Sequence, residues 1–263
     1  MTFKNKVIWI TGASSGIGKS LALELSKQNC KLILSSRREK ALTEVKTQCA
    51  NQKNIRILPF DLADYLNMKP IAKNAISLFG NIDMLINNGG ISQRSLIIDT
   101  DISVDKKLMD VDYLGTVALS KAILPHFVNK QSGHFVTVTS LMGKFGSPYR
   151  SGYCGAKHAL YGFFDVLRME HEKDSIKVTM ICPGFVDTNV ARNALTGNGN
   201  PQKSQDNATA KGLNVSVFTK QMLKAIKKEK FEVYIGKGET KGILLKRFFP
   251  RILHRVVIKS QVK

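Results

Sequence analysis

A chain of 263 residues, with 43% hydrophobic and 23% charged residues, fits one large α/β domain with a sizeable core or at most two small ones. No uninterrupted apolar run reaches the roughly 18 residues of a transmembrane helix, and the four cysteines form neither a C-x-x-C pair nor a metal-type cluster. The formal net charge of +20 favours anionic partners, namely a phosphorylated cofactor, an acidic lipid surface or nucleic acid, or serves general solubility alone. Cys30 and Cys182 fall beside or inside strand patterns, where a reduced cysteine acts as a small hydrophobe. Met1 to Lys6 lead straight into a strand without a signal-peptide pattern, so a reducing, cytoplasmic setting is expected.

The first strand is Val7-Ile8-Trp9-Ile10. It runs into Thr11-Gly12-Ala13-Ser14-Ser15-Gly16-Ile17-Gly18 and a helical pattern with Ile17, Leu21, Leu23 and Leu25. Lys31 to Ser36 reads as a second strand, ending at Arg37-Arg38, with a helix from about Glu39 to Ala50. Ile55 to Phe60 is a third strand, ending at Asp61-Leu62, with a helix from about Met68 to Phe79. Ile82 to Ile86 is a fourth, closed by Asn87-Asn88-Gly89-Gly90 and followed by a long helix from about Val104 to Val128. His134 to Thr139, a helix from Tyr153 to His171, and Lys177 to Cys182, broken by Pro183-Gly184, continue the alternation. Residues 195–214 are rich in Gly, Asn, Ser, Gln and Lys and read as a mobile loop. A helix from Val215 to Lys228 and a seventh strand, Phe231 to Ile235, follow.

Strands and helices alternating at this spacing predict a single doubly wound α/β domain of the Rossmann type over residues 1–242, with a seven-stranded, mainly parallel sheet covered on both faces. Ligands on such sheets bind beyond the carboxyl ends of the strands. The glycine stretch, Arg37, Asp61, Asn87 to Gly90, Ser140 and Pro183-Gly184 all lie at that end. A strand, a glycine-rich turn and a helix N-terminus together offer backbone N–H groups to a phosphate, although glycines also collect in turns for steric reasons alone. Tyr153 and Lys157, four residues apart, share one helix face, and a nearby ammonium favours the phenolate. Ser140 follows the fifth strand and suits holding a substrate oxygen.

These segments resemble the short-chain dehydrogenase/reductase family in its compact form, from Lys4 to about Gly236. The resemblance rests on T-G-x-x-x-G-I-G at Thr11 to Gly18, N-N-x-G at Asn87 to Gly90, a serine ahead of Y-x-x-x-K at Tyr153 to Lys157, and Pro183-Gly184. It implies a nicotinamide dinucleotide and hydride transfer at a C–OH/C=O centre. Tyr153 would be the general acid/base, Lys157 would bind the nicotinamide ribose and lower the Tyr pKa, and Ser140 would orient the carbonyl or alcohol. Gly12, Ser14, Ser15, Gly16, Ile17 and Gly18 would cradle the cofactor. Asp61 and Leu62 would meet the adenine, and Asn87, Asn88 and Gly89 the ribose side. Pro183, Gly184, Val186 and Thr188 would border the nicotinamide, with Thr188 at its amide.

One departure stands out. The family usually carries Asn in a V-N-x-x-G context, where this chain has Val111-Asp112-Tyr113-Leu114-Gly115. Asp112 either substitutes for that Asn in an active enzyme or pairs with Lys157 and mistunes Tyr153, which would leave a catalytically weak dinucleotide-binding scaffold. Gly89 and Ala156 replace the more usual Ala and Ser. Cofactor preference follows from the second strand, whose end carries Ser36, Arg37 and Arg38 in place of an acidic residue. A guanidinium suits a 2′-phosphate, so NADP(H) is expected, with Arg37 as the main contact.

From Lys220 to Lys263 there are thirteen Lys/Arg and three Glu, a net of +10. Within residues 243–263, Ile243-Leu244-Leu245, Phe248-Phe249, Ile252-Leu253 and Val256-Val257-Ile258 recur opposite Arg247, Arg251, Arg255 and Lys259. Pro250 interrupts the run, which predicts two short helices or a kinked one. Such a basic amphipathic tail suits an anionic membrane surface, with peripheral association, or packs on a neighbouring subunit or on the chain's own sheet. It is similar to tails of family members acting on lipid-like or steroid-like substrates. The expected partner is a hydrophobic carbonyl or alcohol, and the family's habit implies a homo-oligomer, dimer or tetramer. Nucleic acid and a metal ion are not expected, for want of recognition motifs and ligand clusters.

Overall fold

The computed structural model describes residues 1–260; the last three residues of the predicted tail, 261–263, lie outside them. In chain order the elements are β1 (Val7–Thr11), α1 (Gly16–Leu25), β2 (Lys31–Ser35), α2 (Glu39–Gln48), β3 (Ile55–Ile57), α3 (Met68–Ser77), β4 (Met84–Asn87), α4 (Ile102–Leu108), α5 (Gly115–Asn129), β5 (Gly133–Val138), α6 (Ser151–Glu170), β6 (Ile176–Pro183), α7 (Asn207–Ala210), α8 (Val215–Lys227), β7 (Glu232–Ile235), α9 (Gly242–Phe248) and α10 (Pro250–Lys259). The strands form one seven-stranded sheet in the order β3-β2-β1-β4-β5-β6-β7. Every pairing is parallel. The order reverses between β1 and β4, which opens a crevice at their carboxyl ends, as a doubly wound sheet does at its switch point.

Strand side chains alternate between two buried faces. On one, Ile8, Ile10, Leu32, Leu34 and Ile86 pack against Leu21 and Leu25 of α1, Leu42 and Val45 of α2, and Phe218, Met222 and Ile226 of α8. On the other, Val7, Trp9, Ile33, Leu85, Phe135 and Val178 meet Ala72 of α3, Leu119, Ile123 and Phe127 of α5, and Leu160 and Phe164 of α6. Trp9, fully buried, places its indole N–H 2.8 Å from Ser35 Oγ, so the largest side chain of the core has no orphaned donor. All four cysteines are unpaired and buried.

Three expectations need adjustment. The third strand is regular only to Ile57 rather than Phe60, although the N–H groups of Leu58 and Phe60 still donate to Leu34 O (2.9 Å) and Ser36 O (3.2 Å), and Pro59 falls on the unpaired outer side of this edge strand. The long helix is not uniformly α-helical: a π-helical turn, Met109–Leu114, joins α4 to α5 and carries Asp112. Residues 195–214, read as a mobile loop, are pinned. Leu195 bridges to Gln93 and Pro201, and Asp206 is buried beneath Arg94 and Arg150. The low apolar content of this segment is offset by buried ionic and backbone bonds. The tail forms two short helices separated at Phe249-Pro250, one of the two arrangements expected, and its apolar residues divide between two roles. Leu253 is buried, and Ile243, Leu245 and Val257 pack with it on Leu141, Phe145 and Cys182 of the chain's own core. Leu244, Phe248, Phe249, Ile252, Val256 and Ile258 are exposed. Among the described residues, no helix is long and apolar enough to cross a membrane.

Candidate active site

The glycine stretch turns β1 into α1. Gly12 (φ 65°) and Gly16 (φ 53°) both adopt the left-handed region that glycine reaches without strain. A Cβ on Gly12 would lie 2.7 Å from Gly89 Cα, so the loops after β1 and β4 touch backbone to backbone. Thr11 and Asn88 tie them together. Thr11 Oγ1 accepts the N–H groups of Asn88 (3.0 Å) and Gly89 (2.9 Å), and Asn88 Nδ2 donates to Thr11 O at 3.0 Å. Ser15 sits at the N-cap of α1 without a side-chain cap, and the first turn holds no acidic residue. Its leading N–H groups therefore face the crevice as donors. Ile17 is partly buried and packs against the core beneath.

Two guanidiniums overhang this loop. Arg37 lies 3.7 Å from Asp61, an exposed pair of little energetic weight. Arg38 donates to Ser14 Oγ (3.1 Å) and Ser15 Oγ (3.3 Å), a contact absent from the sequence reading although the second arginine of the pair was its signal. Asp61 also accepts the Ala63 N–H at 2.9 Å, and Leu62 packs over Gly89, so both line the carboxyl ends of the strands. Asn87 does not. Its side chain is buried and donates to Ser120 Oγ at 3.0 Å within the α5 face, turned to the interior instead of the ribose.

At the carboxyl ends of β5 and β6 the remaining residues gather. Ser140 leaves β5, its Oγ accepting the Met142 N–H at 3.1 Å and acting on the half-buried Tyr153 in favour of the phenolate. Lys157, one turn along α6, holds its ammonium 5.6 Å from the Tyr153 ring centre, 3.2 Å from Asp112 Oδ2 and 3.4 Å from Val138 O. Asp112 is completely buried, and its Oδ1 accepts the Ile91 N–H at 2.8 Å. Burial holds the Tyr153 phenol above its ordinary pKa; Lys157 pulls it down, Asp112 pushes it back up and Ser140 lowers it. Burial works against the charge of Lys157, but the Asp112 carboxylate and Tyr153 outweigh it and keep the ammonium above its usual range.

Gln93 is a site residue whose role sequence reasoning did not name. It is fully buried, and its Oε1 accepts the N–H groups of Gly152 (2.9 Å) and Tyr153 (3.3 Å), fixing the start of α6. Pro183 ends β6 beside Ile235 of β7. A Cβ on Gly184 would run into the Glu239 carboxylate, which in turn accepts the Phe185 N–H at 3.0 Å. Val186 is buried and bridged to Leu213, whereas Thr188 lies over Gly16, with Gln205 donating to its carbonyl at 3.0 Å. The structure thus brings Ser140, Tyr153, Lys157 and Asp112 to one end of a crevice whose other end is the Gly12–Gly18 loop.

The short chain dehydrogenase family model matches residues 6–199. The chain is 42% identical over 236 residues to dehydrogenase/reductase SDR family member 7 of Homo sapiens, covering 88% of this chain and 70% of the relative. It is 37% identical over 262 residues to dehydrogenase/reductase SDR family member 7B of Rattus norvegicus, covering 97% and 81%. Among solved structures, a short chain dehydrogenase/reductase from Burkholderia phymatum in complex with NAD superposes with a TM-score of 0.83 over 100% of this chain and 98% of that one, at 19% identity. ElxO with NADP bound gives a TM-score of 0.67 at 30% identity over 70% of this chain and 75% of that one. With its sheet order, glycine loop and Ser140–Tyr153–Lys157 cluster, this chain belongs to the short-chain dehydrogenase/reductase family of oxidoreductases.

Proposed function

We propose that the protein is an NADP(H)-dependent oxidoreductase that interconverts a carbonyl and a hydroxyl group on a hydrophobic small molecule. The observation that carries this reading is the approach of Ser140, Tyr153 and Lys157 to one another at the carboxyl ends of β5 and α6's first turns, beside the glycine loop. The residues present fit a phosphorylated dinucleotide. Left-handed Gly12 and Gly16 and the uncapped start of α1 suit the pyrophosphate, and Arg37 and Arg38 suit a 2′-phosphate. Lys157 would hold the nicotinamide ribose and Thr188 the amide. When bound, the reduced nicotinamide supplies the hydride.

In the reducing direction Ser140 Oγ would orient the carbonyl oxygen and Tyr153 would give that oxygen the proton that completes the product hydroxyl. The Tyr153 O–H bond breaks and the product hydroxyl forms. Lys157, fixed by Asp112, stabilises the phenolate left behind. In oxidation the same proton returns. Tyr153→Phe should therefore lower turnover of hydrophobic ketones or aldehydes, followed by NADPH oxidation, by about 100-fold or more. NADPH should bind more tightly than NADH, with Arg37→Ala and Arg38→Ala each narrowing the gap about tenfold. Equal affinity, or tighter NADH, would overturn the cofactor reading.

The exposed side of α9 and α10 supports a peripheral role at an anionic membrane. Leu244, Phe248, Phe249, Ile252, Val256 and Ile258 stand clear of the core among Lys246, Arg247, Arg251, Arg255 and Lys259. A groove of about 330 Å³ between residues 145–148 and α10 has apolar walls from Phe145, Pro148, Leu253 and Val257 and a basic rim from Lys246 and His254, and adjoins the segment leading into α6. Flotation with phosphatidylserine vesicles should carry the full chain and lose it on removal of residues 243–263; unchanged flotation would refute the membrane role. Val166 and Met169, exposed on α6, offer a face for a second copy of the chain.

A further inference from the structure

Asp112 makes two contacts, and only one of them needs a carboxylate. Oδ1 accepts the Ile91 N–H at 2.8 Å, which an amide oxygen in the same place would also do. Oδ2, the atom that distinguishes the acid, has no hydrogen bond of good geometry and lies 3.2 Å from Lys157 Nζ. Its contact with the ammonium is an ion pair, in which burial raises the Asp112 pKa while Lys157 and the Ile91 N–H lower it. The room for this contact is made by Gly90, where a Cβ would sit 3.1 Å and 3.2 Å from the two carboxylate oxygens and 3.2 Å from Nζ. The π-helical turn swings Asp112 inward to a position with 0% exposure, where water does not screen the pair.

Lys157 thus serves two neighbours, and the carboxylate at 3.2 Å is much closer than the Tyr153 ring centre at 5.6 Å. An ammonium paired this closely with a carboxylate keeps only part of its pull on the phenol, because the carboxylate opposes it. We propose that Asp112 is a positioning residue that acts through Lys157 to keep Tyr153 in its proton-bearing form at neutral pH, poising the site to donate a proton to a carbonyl oxygen and moving its proton-accepting form to more alkaline conditions. This rests on the reading of Tyr153 as the proton donor.

The other polar and charged groups around Tyr153 do not supply this effect. Arg94, from the segment after β4, acts on the phenol in the same sense as Lys157, and Ser140 also favours the phenolate. Arg150, at the start of α6, shares Asp206 with Arg94. Asp105 of α4 approaches Gly152, where a Cβ would meet its Oδ1, on the chain side of α6 away from Lys157 in sequence. Of the carboxylates, Asp112 is the one held against the ammonium next to the phenol.

The test needs no substrate. Phenolate formation in the full-length protein is followed by near-ultraviolet absorbance against pH, and Tyr153→Phe isolates the Tyr153 contribution from the other five tyrosines. Asp112→Asn, and as a second neutral variant Asp112→Ser, should each lower the Tyr153 midpoint by about one pH unit or more relative to the parent. An unchanged or higher midpoint in both variants, or no Tyr153 signal in either below alkaline unfolding, overturns the proposal. Retained turnover by Tyr153→Phe would instead overturn the assignment of Tyr153 as proton donor, independently of the titration.

Discussion

Replacing Asp206 with alanine should release the segment that closes over the site. Its carboxylate is 1% exposed and receives Arg94 through Nε at 2.7 Å and a terminal nitrogen at 2.6 Å, together with Arg150 at 3.4 Å. Gln202 Nε2 donates to the other oxygen at 3.0 Å. Two guanidiniums on one carboxylate already leave an excess positive charge inside, and burial, with Arg94 adding to it, brings Arg150 down to about 10. Taking away the carboxylate leaves two buried like charges facing each other. Removing one partner of a buried pair costs about 3–5 kcal/mol. In a chain of this size each kcal/mol moves Tm by roughly 2–4 °C, so the variant should melt on the order of 10 °C lower. Circular dichroism melts at one pH and ionic strength measure this, and limited proteolysis should find new cleavage between residues 187 and 206. Asp206→Asn keeps the shape and an acceptor for Gln202, and should show most of the loss if charge is the cause. An alanine variant melting within about 2 °C of the parent would refute the reasoning.

Gly12→Ala should cost on the order of 2–5 kcal/mol, from left-handed strain and overpacking against Gly89, and should weaken NADPH binding; an alanine variant of parental stability by urea unfolding would contradict the 2.7 Å approach. His134 is buried on β5, with Nε2 2.9 Å from Thr179 Oγ1, and burial lowers its pKa to about 4. A buried neutral histidine leaves the unfolded chain binding the extra proton between the ordinary value near 6.5 and about 4, so stability falls as pH falls through that window. The loss from this group between pH 7 and 5 should be about 2 kcal/mol. His134→Asn should flatten that slope in urea unfolding, and an unchanged slope would assign the acid sensitivity elsewhere.

Much of the architecture was legible because it is periodic. Buried parallel strands such as Val7 to Ile10 are continuous apolar runs, and each is followed by a helix with one apolar face. The i,i+4 spacing of Tyr153 and Lys157, and the glycines at 12, 16 and 18, place chemistry by local geometry alone. What escaped was set over long range. Arg94 meets Asp206 across 112 residues, and no local pattern announces that a polar stretch will be held by a buried ionic cluster. Asn87 and Asn88 look equivalent in sequence, yet β4 register sends the first to Ser120 and the second to the backbone of Thr11. Arg38, not only Arg37, reaches the glycine loop because the chain turns between β2 and α2. Apolar periodicity around Val104 to Val128 also does not distinguish an α-helical from a π-helical turn.

That wide turn at Met109–Leu114 separates what the helix needs from what the site needs. It amounts to one residue more than a regular helix requires. Val104 and Leu108 before it, and Leu119 and Ile123 after it, already hold the helix to its neighbours. Shortening the turn by one residue would let the backbone close into an ordinary helix while carrying Asp112 around the axis, away from Ile91 and Lys157. Architecture and site geometry are thereby written into the same stretch at different levels of tolerance, and a length change too small to alter the fold would be enough to take Asp112 out of its contact with Lys157.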